Sequence, residues 1–498
     1  MDALIDLSPA VPCPQNFNLA AYVLSTVTKT PHKTALTVYE AGIERRYTYA
    51  QVAQAVFGAA TGLRQAGISA GDRVMLRIGN TVDFPVCFLA LAALDAIAMP
   101  CSIALTDREV KVLVGKTQPK AMICDPKLGL AGYDGLTFDS QQVQQFQNLC
   151  PARPILGDPN RPGYIIFTSG TSGQPRAVLH AHRAVWARRM MWAGWYDLTP
   201  QDVMMHAGAF NWTYTLGTGL MDPWAIGASA VIPNTQEPGE LWQIMRAEQA
   251  SIFAAAPGIY RRLLQEPFVC PSHLRHGLSA GDVLPRSVRQ SWQERTQTPI
   301  CEAFGMTECS TFLSATPPAP RHLAVQPGRK IAIFDGANLV QRGQTGTISI
   351  DGQDPGLMLG YIEDAAITLP LKNGWYHTAD QGQMHADGQI SFVGRSGDIL
   401  NAGGYRVAPR EIEQVLEACP GVQEAGVAEV EVRPDVFVIA AFVAVEERCD
   451  LAQVDAMAAR HLARYKQPRI VQQVPALPRN PNGKLIRAAL PQLWNSEL

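Results

Sequence analysis

The sequence predicts an α/β protein, with a large N-terminal α/β lobe of several subdomains and a small α+β domain at its C-terminal end. Strand-like and helix-like segments alternate through the first part of the chain, which is typical of a wound α/β sheet. After Asp398 the pattern changes to a few long elements, and residues 394–404 are rich in glycine, as a linker would be. We therefore predict an N-terminal domain over residues 1–396 and a C-terminal domain over 397–498.

The first N-terminal elements follow from capping signals and periodicity. A helix is expected from Thr48 to Gly67, because Thr48 and Gln51 have the spacing of a capping box and Gly67 is placed to end the helix. A strand is expected over residues 73–77 and a second helix over 84–94. Strand followed by helix is the repeating unit of a wound sheet.

The C-terminal elements are predicted in the same way. Proline at the first helical position is favourable, so a helix is expected from Pro409 to Cys419. Residues 436–445 form an almost continuous apolar run and are expected to be a strand. A helix over 451–464 and a strand over 470–474 complete a unit of the size and composition of a small α+β domain.

Composition limits the class of protein. The chain has 498 residues, of which 47% are hydrophobic and 17% charged, and a formal net charge of −2. A large buried core is therefore expected, and no basic field favours nucleic acid as a partner. The ten cysteines form no C-x-x-C pair, which indicates reduced thiols rather than disulfides or a zinc site.

We also expect a cytoplasmic location and no membrane partner. The first residues include Asp2 and Asp6 and lack the basic start of a signal peptide. The apolar stretch 86–105 is interrupted by Asp95 and Pro100. A charge in the middle of a membrane helix is costly, so we predict a buried helix there instead. The oligomeric state is open, with a homodimer as one expectation.

A phosphate-binding loop is the most informative local feature. The strand-like run 164–167 leads into six residues with two glycines and four hydroxyls, namely Thr168, Ser169, Gly170, Thr171, Ser172 and Gly173. Glycines allow backbone N–H groups to approach an anion, and hydroxyls add donors. Arg176 follows the loop and adds a positive charge. The pattern predicts a site for a polyphosphate.

Five motifs in order resemble those of the adenylate-forming superfamily, which includes acyl-CoA synthetases, peptide-synthetase adenylation domains and luciferases. They are the loop with Arg176, and the runs 304–308, 374–380, 394–407 and 478–484. The resemblance extends from about residue 30 to about 490 of this sequence. It implies the fold of that family, with a C-terminal domain that moves as a lid.

The resemblance also implies the nucleotide site. Thr168 to Gly173 would wrap the β- and γ-phosphates of ATP, with Arg176 beside them where the family usually has lysine. The adenine would lie against Phe304 and against the loop formed by Ala280, Gly281 and Asp282, in which Asp replaces the more common Glu. The ribose hydroxyls would bind Asp380 and Arg395.

Three further residues would carry the chemistry by resemblance. Thr307 would contact the α-phosphate, and Glu308 would bind Mg²⁺ as a hard oxygen ligand. Lys484 would bridge the substrate carboxylate and the α-phosphate. Gly397 takes the hinge position, where the family usually has Asp or Lys, and Asn401 replaces a common lysine. These two departures leave the balance between lid positions open.

The acyl pocket is expected around Phe210, Trp212 and Tyr214, with Gly305 leaving room beside them. Amino-acid-activating relatives usually place an aspartate in this region, whereas here no acid occurs until Asp222. The stretch 214–217 is similar to benzoate-type CoA ligases. Trp212 and Tyr214 would offer flat apolar walls for a ring. The alternative is that both are core residues.

The function implied is that of an acid–CoA ligase. ATP and a carboxylic acid, expected to be aromatic or cyclic, would give an acyl-adenylate and pyrophosphate, and CoA would then take the acyl group and release AMP. A short or medium aliphatic acid and a separate carrier protein as acceptor are the alternatives. A remote alternative is an α/β-hydrolase, because Gly277 to Gly281 matches the G-x-S-x-G pattern around Ser279.

Overall fold

The computed structural model describes residues 1–8, 11–40, 42–169, 175–235, 237–267, 269–317, 323–363, 366–395, 400–402, 405–433, 436–445, 449–462, 464, 466–480 and 483–494. The helices in these ranges are α1 (Leu19–Val23), α2 (Tyr49–Gln65), α3 (Asp83–Ala93), α4 (Asp107–Thr117), α5 (Ser140–Phe146), α6 (Arg183–Arg188), α7 (Thr213–Leu216), α8 (Asp222–Ile226), α9 (Pro238–Ala247), α10 (Pro257–Gln265), α11 (Arg286–Thr296), α12 (Pro409–Glu417) and α13 (Leu451–His461). Two π-helical turns cover Trp192–Tyr196 and Gly217–Met221, and a 3₁₀ helix covers Arg487–Leu493.

The strands are β1 (Leu4–Asp6), β2 (Thr34–Glu40), β3 (Ile43–Thr48), β4 (Arg73–Arg77), β5 (Ile97–Pro100), β6 (Ala121–Cys124), β7 (Leu136–Asp139), β8 (Pro162–Ser169), β9 (Pro175–Ala181), β10 (Val203–His206), β11 (Ser229–Ile232), β12 (Ile252–Ala255), β13 (His276–Ser279), β14 (Ile300–Met306), β15 (Ser310–Ser314), β16 (Ala324–Val325), β17 (Lys330–Asp335), β18 (Asn338–Leu339), β19 (Thr345–Asp351), β20 (Gly360–Glu363), β21 (Ala366–Thr368), β22 (Leu371–Lys372), β23 (Trp375–Met384), β24 (Ile390–Arg395), β25 (Leu400–Ala402), β26 (Tyr405–Val407), β27 (Val422–Arg433), β28 (Val436–Val445) and β29 (Ile470–Gln473).

The large lobe is built on three sheets. One has the order β21-β20-β9-β8-β5-β4-β6-β7, and a second has the order β16-β15-β14-β13-β12-β10-β11-β2-β3. Both are parallel in their central strands and antiparallel at an edge. The third sheet is antiparallel and contains β1, β17, β19, β23 and β24. The predicted α/β lobe is confirmed.

The predicted N-terminal elements are present. Helix α2 begins after Thr48, whose side chain accepts from the Gln51 N–H while the Gln51 side chain bonds back, as a capping box requires. Strand β4 covers the predicted residues, and α3 begins one residue earlier than expected. Helices α2 and α3 pack together in the largest apolar core.

The apolar stretch 86–105 folds as the C-terminal part of α3 followed by β5, and all of α3 is buried. Asp95 lies in the turn between them with a φ of 61°. Its carboxylate accepts from Arg161 Nε at 2.6 Å and lies 3.1 Å from His182 Nε2. Within the described ranges, no helix is both long and apolar enough to cross a membrane.

The small C-terminal unit has the predicted α+β character. Strand β28 matches its prediction, while α12 and α13 end before the predicted boundaries. The sequence did not predict β27, the 12-residue partner of β28. Helix α12 packs on β27, and α13 lies against α12. The boundary at residue 396 stays a prediction, because residues 396–399 lie outside the described ranges.

All ten cysteines of the sequence lie in the described part of the chain, and each is an unpaired thiol. Five of them, Cys87, Cys101, Cys124, Cys301 and Cys309, are buried in the large lobe. The reduced state of the cysteines stays a prediction.

Candidate functional site

The predicted phosphate loop begins at the end of β8. Residues Gly170, Thr171, Ser172 and Gly173 lie outside the described residues. In the antiparallel pair that flanks them, Thr168 of β8 lies opposite Arg176 of β9. The Arg176 Cζ is 4.9 Å from the centre of the Tyr361 ring. The structure therefore places a cation at the mouth of the loop, against an aromatic ring.

Tyr361 connects this cation to Glu308. The Tyr361 hydroxyl donates to Glu308 Oε1 at 2.7 Å and lies 2.9 Å from the Tyr376 hydroxyl. Burial, together with the Glu308 charge, raises the pKa of Tyr361 to about 12. The phenol thus keeps its proton and can hold the carboxylate in one orientation. Neither Tyr361 nor Tyr376 was predicted as a site residue, although Tyr376 lies inside a recognised motif.

Glu308 is suited to a magnesium ion that arrives with a nucleotide. In the described part of the chain, no group of three His, Cys, Asp or Glu side chains could hold a metal alone. Mg²⁺ is usually bound through one or two carboxylates, with phosphate oxygens and waters completing its shell. A single oriented carboxylate beside a phosphate loop fits that donor set.

Thr307 and Glu308 lie in the turn between β14 and β15. The two strands pair with a bulge at Phe304 and Gly305. A Cβ added to Gly305 would lie 2.7 Å from Thr311 Cα, so glycine is required for this close approach of β15. Phe304 packs edge-on against Phe312 and is only partly buried. Any room at Gly305 for an acyl group would come from its exposed main chain, since the missing side chain would point at β15.

The predicted ribose pair is assembled by two neighbouring strands. Asp380 of β23 lies directly opposite Arg395 of β24. Arg395 Nε is 3.1 Å from Asp380 Oδ1, and the aspartate side chain is 4% exposed whereas that of the arginine is 38% exposed. A buried carboxylate fixed by a half-exposed cation can accept hydrogen bonds from a pair of hydroxyls.

The predicted adenine loop lies under an aromatic side chain. Gly281 has a φ of 95°, and a Cβ at this position would be 2.6 Å from Trp212 Cζ2. Glycine therefore lets the Trp212 ring lie directly on the loop that also contains Ala280 and Asp282. Trp212 is half-buried and contacts Tyr214 edge-to-face, with ring centres 5.3 Å apart.

Lys484 lies in a tight turn that reaches the same loop. The Lys484 N–H donates to Asn480 Oδ1 at 2.9 Å, and Gly483 has a φ of 79°. Arg479, in the same turn, has its Nη1 3.9 Å from Asp282 Oδ2. The catalytic-lysine motif and the adenine loop, which are about 200 residues apart in sequence, are therefore neighbours in space.

The aromatic residues predicted for the acyl pocket separate into two groups. Trp212 faces the adenine loop, and Tyr214 lies behind it, buried, with its hydroxyl donating to the Leu278 carbonyl at 2.8 Å. Phe210 is not brought together with them. It is fully buried and stacks on Phe84, at 5.0 Å between ring centres, in the largest core.

A buried ion pair links Arg188 of α6 to Asp222 of α8. Arg188 Nε is 3.0 Å from both carboxylate oxygens of Asp222, and its Nη2 is 2.6 Å from Oδ2. Burial alone would lower the pKa of Arg188, but the Asp222 carboxylate reverses this and holds the pKa above its ordinary value. Asp222 is thus committed to Arg188 and does not serve a ligand ammonium group.

A separate cavity is lined by Asn211, which precedes α7 in the chain. It has a volume of about 230 Å³ and lies where β4, β10 and β11 end. The polar residues that line it include Asn80, Asn211 and Asn234. Asn80 also fixes the chain before α7, because its amide donates to the Gly208 carbonyl and its oxygen accepts from the Phe210 N–H.

Ser279 does not have the surroundings of a hydrolase nucleophile. It is the last residue of β13 and is buried, and its hydroxyl has no hydrogen-bond partner in the described ranges. The next helix, α11, begins only at Arg286. A nucleophile elbow needs an exposed serine on a sharp turn between strand and helix, with a histidine within reach.

Two family profiles and several relatives match this chain over most of its length. The family profile described as AMP-binding enzyme matches residues 24–362, and the profile of the AMP-binding enzyme C-terminal domain matches residues 411–484. The chain is 27% identical over 532 aligned positions to a benzoate–CoA ligase of Thauera aromatica, covering 97% of both chains. It is 26% identical over 527 positions to a mitochondrial acyl-coenzyme A synthetase of Homo sapiens, covering 96% of this chain and 89% of the other.

Among solved structures, the fold is similar to that of the anthranilate CoA ligase AuaEII in complex with anthranoyl-AMP. The TM-score is 0.88 at 22% sequence identity, and the match covers 97% of this chain and 98% of the other.

Proposed function

The chain belongs to the AMP-binding enzyme family, and from this premise we propose that it is an ATP-dependent acid–CoA ligase. In the first half-reaction a carboxylate attacks the α-phosphate of ATP, giving an acyl-adenylate and pyrophosphate. In the second, the thiol of CoA attacks the acyl carbon and AMP leaves. The relatives reported above are themselves named CoA ligases and synthetases.

One observation carries the proposal: the Lys484 turn lies beside the adenine loop, with Arg479 3.9 Å from Asp282. The attack brings two anions together, so the rate depends on positive charge placed where negative charge develops. Lys484 would hold the acid carboxylate and the α-phosphate oxygen in line. The Arg479 contact supports this role, because it brings the turn that contains Lys484 next to the predicted adenine loop.

The remaining groups would hold ATP in place. Glu308, oriented by Tyr361, would bind the Mg²⁺ that accompanies the phosphates and supplies charge neutralisation. Arg176 would face the phosphates from the start of β9, together with Thr168 and Ser169 and with Gly170 to Gly173. Asp380 and Arg395 would receive the ribose hydroxyls, Phe304 would lie beside the adenine, and Thr307 would contact the α-phosphate.

For the acid we propose an aromatic or cyclic acyl group without a positive charge. Trp212 offers a flat apolar wall next to the adenine loop, with Tyr214 behind it. The Asp222 carboxylate is paired with Arg188, so it does not bind an ammonium group of the acid. The benzoate–CoA ligase relative supports the same class. Phe210 and Gly305 are the weaker members of the proposed set, for the reasons given above.

We further propose that residues 397–498 act as a lid that carries Lys484, with Gly397 as the hinge. Glycine tolerates large changes of φ and ψ, which suits a pivot. The lid would place Lys484 at the nucleotide for adenylation and withdraw it when CoA reacts.

A panel of carboxylic acids tests the proposal. Pyrophosphate release is measured with MgATP and each acid, and thioester formation is followed with and without CoA. We expect benzoate-like acids to be the best substrates and product to leave as the CoA thioester. A preference for straight-chain acids would overturn the aromatic assignment, and adenylate that CoA does not discharge would indicate a carrier-protein acceptor.

Glu308→Gln tests the magnesium ligand. The amide keeps the shape but loses the charge, so the Mg²⁺ concentration needed for half-maximal pyrophosphate release should rise and the rate should fall steeply. Glu363→Gln, an exposed glutamate on β20, serves as the matched control. An unchanged magnesium titration in Glu308→Gln would place the ligand elsewhere.

A further inference from the structure

The turn that contains Thr307 and Glu308 ends in Ser310, a non-glycine residue with a positive φ. Met306 lies opposite Ser310 in the β14–β15 pair, so Thr307, Glu308 and Cys309 form a three-residue loop. Ser310 has a φ of 58°. Glycine commonly occupies the left-handed position that follows such a loop. A serine in this conformation persists only where its surroundings hold it.

Arg188 supplies that support. Its Nη1 donates to the Ser310 hydroxyl oxygen, while the rest of the guanidinium is fixed by Asp222, Tyr196 and Thr218. Tyr196 and Thr218 belong to the two π-helical turns. Such irregularities inside helices are frequent at functional sites. The guanidinium is thus anchored on one side and offers its remaining nitrogen to the turn.

Gly217 and a small cavity lie next to the contact between Arg188 and Ser310. A Cβ added to Gly217 would overlap the Arg188 guanidinium, so only glycine leaves room for it. A cavity of about 10 Å³ lies among Arg188, Ser310 and Thr307, which is roughly the space of one water molecule. Arg188 thus holds the Ser310 hydroxyl at the end of the turn. Other contacts hold the rest of it, since the Met358 N–H donates to the Glu308 carbonyl at 2.7 Å and Arg329 donates to the Thr311 carbonyl at 2.9 Å.

We propose that Arg188 is a positioning residue for adenylation, which acts through Ser310 to fix the turn that presents Thr307 and Glu308 to MgATP. The roles of Thr307 and Glu308 rest on the proposed function, and the new element is the residue that holds them. Arg188 contacts neither nucleotide nor acid in this role. Its loss should therefore impair the step that uses MgATP and spare the attack of CoA on a finished adenylate.

The first test compares Ser310→Ala with Ser310→Gly. Both remove the acceptor for Arg188, but glycine also suits the positive φ. We expect both variants to lower kcat for pyrophosphate release roughly 10-fold, the scale of one hydrogen bond to a charged group, and to raise the Mg²⁺ requirement. Thioester formation from a supplied acyl-adenylate should stay within about 2-fold, well below that effect. Wild-type behaviour of Ser310→Gly would overturn the proposal.

Ser314→Ala is the matched control. Ser314 lies on the same strand, and its hydroxyl also bonds across elements, donating to the Gly194 carbonyl at 2.8 Å and accepting from Gln326. This variant should lose stability without a change in the Mg²⁺ requirement. If Ser314→Ala raised the Mg²⁺ requirement as much as Ser310→Ala, the effect would be a general loss of structure and the proposal would fail.

A second route reaches the same contact from Arg188. Arg188→Lys keeps a charge opposite Asp222 but cannot also reach Ser310, and Gly217→Ala displaces the guanidinium without removing a donor. Either variant combined with Ser310→Ala should be no worse than the more impaired single variant. Should Arg188→Lys fail to fold, the Gly217→Ala combination still decides, since additive losses there would overturn the proposal.

MgATP binding separates this inference from the proposed function. If the wild type released pyrophosphate with no acid, the proposed function would fail, but calorimetric titration would still test the turn. Ser310→Ala should then weaken binding of MgATP roughly 10-fold and binding of Mg²⁺-free ATP clearly less, because only the Thr307 contact is affected in the second case. Equal weakening of both forms would overturn the positioning role.

Discussion

Two charged clusters of this protein have opposite surroundings. The Arg188–Asp222 pair lies inside the large lobe, with side chains 4% and 2% exposed. The second cluster joins the lobes: Arg261 of α10 contacts Glu424 of β27, and Glu424 also accepts from Arg479 at 2.8 Å. In this interlobe cluster the side chains are 10–28% exposed, and Asp282 at its edge is 34% exposed.

The difference shows which contacts can move during a catalytic cycle. A buried pair has already lost its water, so separating the partners would leave an uncompensated charge. The interlobe cluster keeps partial contact with water, and its side chains become solvated when the lobes separate, so releasing them costs less than breaking the inner pair. The inner cluster is therefore suited to hold one shape, and the interlobe cluster can be released when the lid leaves.

The largest effect should come from breaking the inner cluster. Asp222→Ala leaves Arg188 buried without its carboxylate, and we expect the free energy of unfolding to fall by about 3–5 kcal/mol. Denaturant titration measures this change. Replacing Asp202, whose partner Arg275 is 38% exposed, with alanine is the comparison, and it should cost clearly less. Equal losses would mean that burial does not distinguish the two pairs.

The next largest effect concerns Lys484, which lies in the same turn as Arg479 of the interlobe cluster. Lys484→Ala should reduce acid-dependent pyrophosphate release by ~10²-fold or more, the scale of removing one charge-stabilising group. Conversion of a supplied acyl-adenylate and CoA to thioester should persist. Lys466→Ala, in the same small domain and bonded to Glu411, is the control and should leave both half-reactions intact. Parallel loss of both in Lys484→Ala would contradict the assignment.

Acid should destabilise the protein through its buried histidines, of which His206 is one. Burial lowers the pKa of His206 to about 3, so below pH 6.5 the unfolded chain takes up a proton that the folded state refuses. Stability is thus fully present above pH 6.5 and falls as pH drops toward 3, by about 1.4 kcal/mol per pH unit for one such histidine. His206→Phe should flatten the slope of unfolding free energy against pH by that amount. An unaltered slope would show that His206 does not titrate in this way.

The smallest effect should come from loosening the interlobe cluster. Glu424→Gln removes the charge shared by Arg261 and Arg479, and stability should fall by clearly less than in Asp222→Ala, because water reaches part of this cluster. The ratio of the two half-reaction rates should instead shift a few-fold toward thioester formation, because less energy holds Lys484 at the nucleotide. Glu429→Gln on the same strand is the control. A stability loss as large as that of Asp222→Ala would place this cluster with the inner one.

Most of the fold could be predicted from local signals. The capping box at Thr48, the proline at the start of α12 and the apolar run of β28 each depend on residues close in sequence. The long strand β27 was missed because its alternation of apolar residues with glutamates looks like a solvated segment until β28 is placed beside it. Helix ends were overestimated because frayed last turns leave no sequence signal.

For the candidate site, motifs located the residues but not the contacts that support them. The Asp380–Arg395 pair could be anticipated, and the facing strands β23 and β24 bring the two together. Tyr361 was missed because it lies 53 positions from Glu308 and in no recognised motif. Arg188 was missed because an isolated arginine on a short helix resembles any surface cation. Such pairings depend on how sheets and helices meet, which local pattern does not encode.

The position of Trp212 has a consequence for the order in which ligands gather. The ring rests on Gly281 of the adenine loop and is also the proposed wall for the acid. The Trp212 side chain would therefore lie between the proposed acid and nucleotide sites, and the ligand that binds first would restrict its motion for the second. The first ligand alone would bear the entropic cost of ordering the Trp212 side chain, so the acid and ATP should bind with positive cooperativity even without direct contact between them.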